Sequence, residues 1–123
     1  MTNKINQNLI SSLINNNDKV LDIGCGNGDL LYYLEKTKNI QGQGIEISHL
    51  GVKESVTKGL SVIQGDADED LVSFTDNTFD VVILSDTLQA THKPKEVLKQ
   101  MLRIGKKCII CIPNFGYWKY RLQ

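Results

Sequence analysis

The sequence predicts an α/β domain built on a doubly wound, mostly parallel sheet. Short apolar runs alternate along the chain with segments of helical periodicity, and the first run passes through a glycine-rich turn into a helix. Strands in this rhythm are joined by right-handed crossovers. Residues 1–123 are expected to form a single domain, because a chain of this length supports one hydrophobic core.

Local patterns predict each element. Apolar residues at helical spacing predict an N-terminal amphipathic helix that covers the sheet or a ligand: Ile5, Leu9, Leu13 and Ile14. Short apolar runs predict five strands, at 20–23, 42–47, 60–64, 79–84 and about 107–112. Capping signals place helices after Leu30, from Ser48 to Gly59 and from Pro94 to Gly105. The segment 68–74 fits one or two helical turns.

Charge and hydropathy exclude several function classes. Acidic and basic residues balance at 14 each, so no net field attracts nucleic acid or an anionic membrane. No apolar run approaches the roughly 20 residues of a membrane helix. The first residues are not followed by a signal-peptide core, and we therefore expect a cytoplasmic protein.

The three cysteines do not predict a disulfide framework or a metal site. Cys108 and Cys111 have C-x-x-C spacing, but residues three apart on a strand face opposite sides of the sheet. We interpret both as buried strand residues. Cys25 lies in the glycine turn, where a small side chain is needed, and a reactive thiol is the alternative.

The glycine turn is the strongest candidate for a binding site. Gly24, Gly26 and Gly28 alternate, which lets the backbone reverse and lets a ligand approach it closely. Asp29 stands where the dinucleotide fingerprint has its third glycine, and its carboxylate would repel a pyrophosphate. With Asp22 before the turn, the acids favour S-adenosylmethionine, which has a cationic amino-acid end. A nicotinamide dinucleotide and a turn that binds nothing are the alternatives.

Residues at the strand ends complete the predicted cofactor site. Glu46 ends the second strand, where an acid can accept hydrogen bonds from both ribose hydroxyls, and Ile47 follows it. Asp66 is positioned to accept from the adenine amine, with the Ala67 amide facing the ring. An N-cap role for Asp66 is equally compatible with the sequence.

The segment after the fourth strand is the expected seat of substrate chemistry. Ser85, a candidate cofactor-binding residue, opens this segment. The segment lacks the Asn/Asp-Pro-Pro-Tyr/Phe motif of many amino-group methylating enzymes. His92 is a candidate general base, and a surface histidine is the alternative. The aromatic segment 114–118 is expected to cover the site or to meet a partner, and hydrophobic packing at the sheet edge is the alternative. No catalytic residue is assigned.

Several motifs together resemble the MetW family of methionine biosynthesis proteins, within the class I S-adenosylmethionine-dependent methyltransferases. They are Val20-Leu21-Asp22-Ile23-Gly24-Cys25-Gly26, Val62-Ile63-Gln64-Gly65-Asp66, Phe79-Asp80-Val81-Val82-Ile83-Leu84-Ser85, Thr87-Leu88-Gln89-Ala90 and Pro113-Asn114-Phe115-Gly116. The first motif is shared across the superfamily, whereas the last two are more distinctive.

The resemblance implies a Rossmann-like fold and a role in methionine synthesis alongside homoserine O-acyltransferase. It implies that Asp22 and the turn from Gly24 through Cys25 to Gly28 hold the methionine end of S-adenosylmethionine or S-adenosylhomocysteine, Glu46 the ribose and Asp66 the adenine. An active methyltransferase on a small acceptor is the alternative function.

Two departures from the family pattern stand out. Asp86 replaces the glutamine usual in the family, and members continue past the position of Gln123 into a final helix and an antiparallel strand pair. We therefore expect those elements to be missing and the fifth strand to present an open apolar edge.

Overall fold

Strands and helices alternate through most of the chain. The computed structural model describes residues 4–85, 91–112 and 117–122. The helices are α1 (Lys4–Ser12), α2 (Asp29–Lys38), α3 (His49–Thr57), α4 (Ala67–Asp70) and α5 (Pro94–Ile104), and a 3₁₀ turn covers Leu71–Ser73. The strands are β1 (Lys19–Ile23), β2 (Gln41–Glu46), β3 (Val62–Gln64), β4 (Phe79–Leu84), β5 (Gly105–Ile112) and β6 (Tyr117–Leu122).

The strands form one sheet in the order β3-β2-β1-β4-β5-β6. The first five are parallel, with Val20 paired to Gly42 on one side and to Val81 on the other. The chain winds outward from β1 to β3 and then returns to β4 on the opposite side of β1. The predicted doubly wound, mostly parallel sheet is therefore confirmed, and its switch point lies between β1 and β4.

The prediction of an open edge at the fifth strand is wrong. Tyr117–Leu122 run antiparallel to β5, pairing Cys108 with Arg121 and Ile112 with Tyr117. The aromatic residues Tyr117 and Trp118 thus belong to a strand. Aromatic residues fit a pleated sheet well, which is a signal for this strand in the sequence.

Helices cover both faces of the sheet. On one face α1 and α2 enclose a core that includes Ile10, Leu31, Leu34 and Ile83. On the other, α5 packs Met101 and Ile104 against residues such as Phe79 and Val82. Neighbouring residues of β4 thus enter different cores, which explains why this strand is an unbroken apolar run.

The N-terminal segment covers the sheet as predicted at Leu13 and Ile14, which pack against one core, whereas Leu9 is the exception. Ile10 and Ile14 are fully buried, whereas Leu9 is 40% exposed. Tyr33 of α2 donates a 2.6 Å hydrogen bond to Asn8, and Lys107 Nζ donates one of 2.6 Å to the Leu13 carbonyl. These contacts fix α1 against α2 and the sheet.

Three local predictions are confirmed: the cap of α3, the helical turns near 68–74 and the burial of both strand cysteines on opposite faces. Ser48 caps α3 by accepting from the Gly51 amide at 3.2 Å, and 67–73 form a short helix and a 3₁₀ turn. Cys108 and Cys111 are buried in opposite cores.

Within the described residues, no cluster of His, Cys, Asp and Glu could hold a metal. No described helix has the length and hydropathy to cross a membrane.

Candidate functional site

The glycine turn joins β1 to α2 through three residues in the left-handed backbone region. Gly24, Gly26 and Gly28 have φ of 74°, 59° and 87°. A Cβ at Gly26 would meet no atom within 4 Å, whereas one at Gly28 would overlap Leu60 and lie 2.8 Å from Ser55 Oγ. Gly26 therefore leaves space for a ligand, while Gly28 is required for packing.

Glu46 is held in place by two backbone amides. One carboxylate oxygen accepts from the Gly26 amide at 2.7 Å, and the other accepts from the Ser48 amide at 2.9 Å. The side chain is only 8% exposed, and Gly51 makes room for it, since a Cβ there would lie 2.9 Å from Glu46 Cγ. Each oxygen retains acceptor capacity for a ligand hydroxyl.

Asp22 is a fully buried acid beside the turn. Ser85 Oγ donates to Asp22 Oδ1 at 3.0 Å, and Oδ2 has no hydrogen-bond partner among the described residues. Burial raises the pKa of Asp22 to about 7; the Ser85 hydrogen bond opposes the rise, and the charge of Glu46 adds to it. A buried acceptor without a donor fits a ligand that brings a cationic group.

A cleft opens at the carboxyl ends of β1 and β2. It has about 440 Å³ of empty space, a volume that includes its opening to solvent. Its lining contains five of the predicted residues, Gly24, Glu46, Ile47, Asp66 and Ala67, together with Ile23, Ile45, Gly65, Asp68 and Thr91. The other predicted residues, Asp22, Cys25, Gly26, Gly28 and Ser85, lie outside this lining.

Asp66 caps α4, one of the two roles considered for it. Its Oδ1 accepts from the Asp68 amide at 2.9 Å, and its own amide donates to Asp70 at 2.6 Å. Asp66 also lines the cleft, so the capping role leaves its second oxygen available for a ligand amine.

Cys25 is unsuited to nucleophilic chemistry. The side chain is 6% exposed, and burial, followed by the charges of Asp22 and Glu46, raises the pKa of its thiol to about 12. Its sulfur lies beside Gly44, where a Cβ would come within 2.7 Å. The residue fills space between the turn and β2.

Two contacts at the site are absent from the sequence-based prediction. Lys58 Nζ donates to the Asn27 carbonyl at 2.6 Å and lies 3.3 Å from the Asp29 carboxylate, so the charge of Asp29 is partly compensated. Asp68 accepts from the amides of His92 and Lys93. The acidic run 66–70 indicated a helix start but not this long-range contact. His92 itself is exposed.

Comparison with known proteins identifies the family. The family model described as methionine biosynthesis protein MetW matches residues 4–123. The chain belongs to the MetW family. The bifunctional methionine biosynthesis protein MetXA/MetW of Rhodopirellula baltica is 35% identical over 129 residues. That alignment covers 98% of this MetW-family chain and 21% of the relative, so the chain spans about a fifth of the relative's length.

Solved structures show the same fold. The S-adenosylhomocysteine complex of a methyltransferase from Geobacter sulfurreducens is 20% identical, with a TM-score of 0.70 over 89% of this chain and 48% of that one. The cyclase SpnF is 21% identical, with a TM-score of 0.76 over 85% and 42%. The MetW-family chain therefore has the Rossmann-like class I methyltransferase fold. Because a cyclase shares it, the fold alone does not specify methyl transfer.

Proposed function

We propose that this chain binds S-adenosylmethionine in its cleft and works with a homoserine O-acyltransferase in methionine biosynthesis. The observation that carries the proposal is the geometry of Glu46. Its carboxylate is almost buried, lines the cleft and is bonded at both oxygens by amides, one of them from the glycine turn. Such a fixed acceptor suits the paired hydroxyls of a ribose.

The described residues fit the remaining parts of this cofactor. Ile47, which is 65% exposed at the cleft, and Ala67 offer apolar contact to an adenine, and Asp66 an acceptor for its amine. The open side of Gly26 and the unpartnered oxygen of Asp22 suit the amino-acid end. When bound, the sulfonium supplies an activated methyl group.

The acyltransferase partnership is supported by the family. The relative from Rhodopirellula baltica is named for MetXA and MetW functions in one polypeptide. Two functions joined in one chain are held at high effective concentration, which favours their working together. We propose that the MetW-family domain described here associates with a homoserine O-acyltransferase domain, whether the two are separate proteins or linked in one polypeptide.

Methyl transfer to a small acceptor is the second candidate, favoured by the fold. The described part of the site gives it less support than binding. Ser85, which follows β4, is 5% exposed and donates its hydroxyl to Asp22, and the described cleft lining contains no histidine side chain. Alignment with an activated sulfonium is nevertheless enough for transfer, so the alternative needs a direct assay.

Calorimetric titration with S-adenosylmethionine, S-adenosylhomocysteine and NAD tests the binding proposal. We expect the two adenosyl ligands to bind and NAD not to bind. Binding of NAD alone, or of none of the three, would overturn it.

The partnership is tested by adding the chain to a homoserine O-acyltransferase from the same organism. We expect co-elution or a changed acyltransferase rate. The absence of both effects at micromolar concentrations would overturn the partnership. Release of S-adenosylhomocysteine from S-adenosylmethionine in a metabolite extract would instead establish the methyltransferase alternative.

A further inference from the structure

Asp68 joins two distant segments beside the cleft. Its two carboxylate oxygens accept from consecutive backbone amides, that of His92 at 2.9 Å and that of Lys93 at 3.0 Å. Asp68 lies in α4, shortly after β3, whereas His92 and Lys93 lead into α5. A single side chain therefore bridges parts of the chain that are more than twenty residues apart.

The bridge lies at the cleft itself. Asp68 and Thr91, the residue next to His92, both contribute to the lining that also contains Glu46 and Asp66. The position of Thr91 at the cleft is thus linked through one peptide unit to the Asp68 carboxylate. The cap made by Asp66, by contrast, is local to α4.

The hydrogen bonds from the His92 and Lys93 amides to Asp68 are charge-assisted. The amides of His92 and Lys93 lie at the start of α5. Backbone N–H groups at a helix start have no partner within the helix, and the Lys93 side chain does not cap α5. A carboxylate there accepts charge-assisted hydrogen bonds and faces the positive end of the helix dipole. These amides hold the pKa of Asp68 below its usual range, so the carboxylate stays ionised. The exposed pair between Lys93 and Glu69, 3.6 Å apart, adds little.

We propose that Asp68 is a positioning residue that holds the segment 91–93 against the adenosine side of the cleft, so that retention of a bound adenosyl ligand depends on it. The inference rests on the proposed function, because it names the residue that keeps one wall of that binding site in place. Asp68 need not touch the ligand; it acts through the backbone that carries Thr91.

The test compares the release of S-adenosylhomocysteine from three variants by stopped-flow fluorescence. Asp68→Ala removes both acceptors, and we expect release about tenfold faster than from the unsubstituted protein. Asp68→Asn keeps one acceptor oxygen and should give an intermediate rate. Amide hydrogen exchange at His92 and Lys93 should accelerate in the same order.

Asp76→Ala is the matched control. Asp76 also bridges distant segments, through a 2.8 Å ion pair with Arg103, but lies outside the cleft lining. We expect it to lower the melting temperature without changing ligand release. Unchanged release from Asp68→Ala, or equal acceleration by Asp76→Ala, would overturn the inference alone. Failure of the unsubstituted protein to bind S-adenosylhomocysteine would overturn the proposed function and the inference with it.

Discussion

Ser85 Oγ donates a 3.0 Å hydrogen bond to Asp22 Oδ1 across the neighbouring ends of β4 and β1. The Ser85 amide also donates to the Ile23 carbonyl at 3.1 Å, so side chain and backbone both join the two strands. These strands flank the point where the winding of the sheet reverses. A buried acid with a pKa of about 7 therefore lies in the middle of the sheet, at the carboxyl ends of its strands.

Asp22 makes the stability of the unliganded domain depend on pH. Its folded pKa of about 7 lies above the ordinary value of 3.8, so the folded state binds the proton more tightly. The associated stability is fully present below the lower value and is lost as the pH rises through the higher one. We expect the free energy of unfolding to fall by roughly 3 kcal/mol between about pH 5 and pH 8 from this group.

Urea unfolding of Asp22→Asn at the two pH values measures this effect. As the pH rises, the free energy of unfolding of the parent should fall relative to that of Asp22→Asn, because the asparagine does not titrate. Glu54→Gln, which removes an exposed carboxylate from α3, should show no such shift. A parallel pH dependence in Asp22→Asn and the parent would contradict the assignment.

Alanine at two of the glycines should separate packing from ligand binding. Gly28→Ala forces a Cβ into Leu60 and Ser55 at a positive φ, and we expect a loss of about 2–4 kcal/mol in stability. Gly26→Ala meets no neighbour, so its loss should be about 1–2 kcal/mol, the cost of the left-handed backbone. Its Cβ should nevertheless obstruct the ligand and weaken S-adenosylmethionine binding in calorimetry.

Gly59→Ala is the control for backbone strain. Gly59 has φ of 85°, and a Cβ added there would meet no atom within 4 Å, but its amide donates to the Val56 carbonyl at the end of α3, whereas that of Gly26 donates to Glu46. It should match Gly26→Ala in melting temperature and retain normal affinity. Equal affinity in the two variants would show that the ligand does not approach Gly26.

Glu46→Gln should weaken S-adenosylmethionine binding by roughly 10- to 100-fold, or about 1.4–2.8 kcal/mol. The amide presents an NH₂ group where an oxygen now accepts from Gly26 or Ser48, so one bond is lost and the ribose acceptor is disturbed. Calorimetry at constant pH measures the change. Affinity equal to that of the parent would place the ribose elsewhere.

The thiols should be unreactive in the folded state. Cys25, Cys108 and Cys111 are all buried, and burial raises the pKa of Cys25 and Cys111 to about 12. Because the thiolate is the reacting species, we expect labelling by an aromatic disulfide reagent at pH 8 only as fast as the domain unfolds. In denaturant all three should react promptly; a thiol that reacts promptly without denaturant would disprove this protection.

Sequence patterns predicted the central strands well because parallel strands buried on both faces leave long apolar runs, as in β4. They misplaced one residue of α1, because Leu9 and Ile10 are both apolar and the structure buries Ile10 and exposes Leu9. They also missed β6. This strand is close to β5 in the chain, but what defines it is its pairing with β5, which a local pattern does not show.

In the candidate site, too, residues with local sequence signals were predictable and residues defined by long-range contacts were not. Glu46 and Asp66 were identifiable because strand ends and capping positions are local features of the chain. Asp68 and Lys58 were not, since their partners lie 25 and 31 residues away and no local spacing encodes such contacts.

The pairing of β6 with β5 also limits how this domain can associate. Among the described strands it leaves β3 as the other sheet margin, and β3 spans only Val62–Gln64. A margin of three residues is a poor template for strand addition, which protects against runaway self-assembly. Strand addition to the described sheet would therefore be favoured at β6, which spans Tyr117–Leu122 and forms the longer of the two margins.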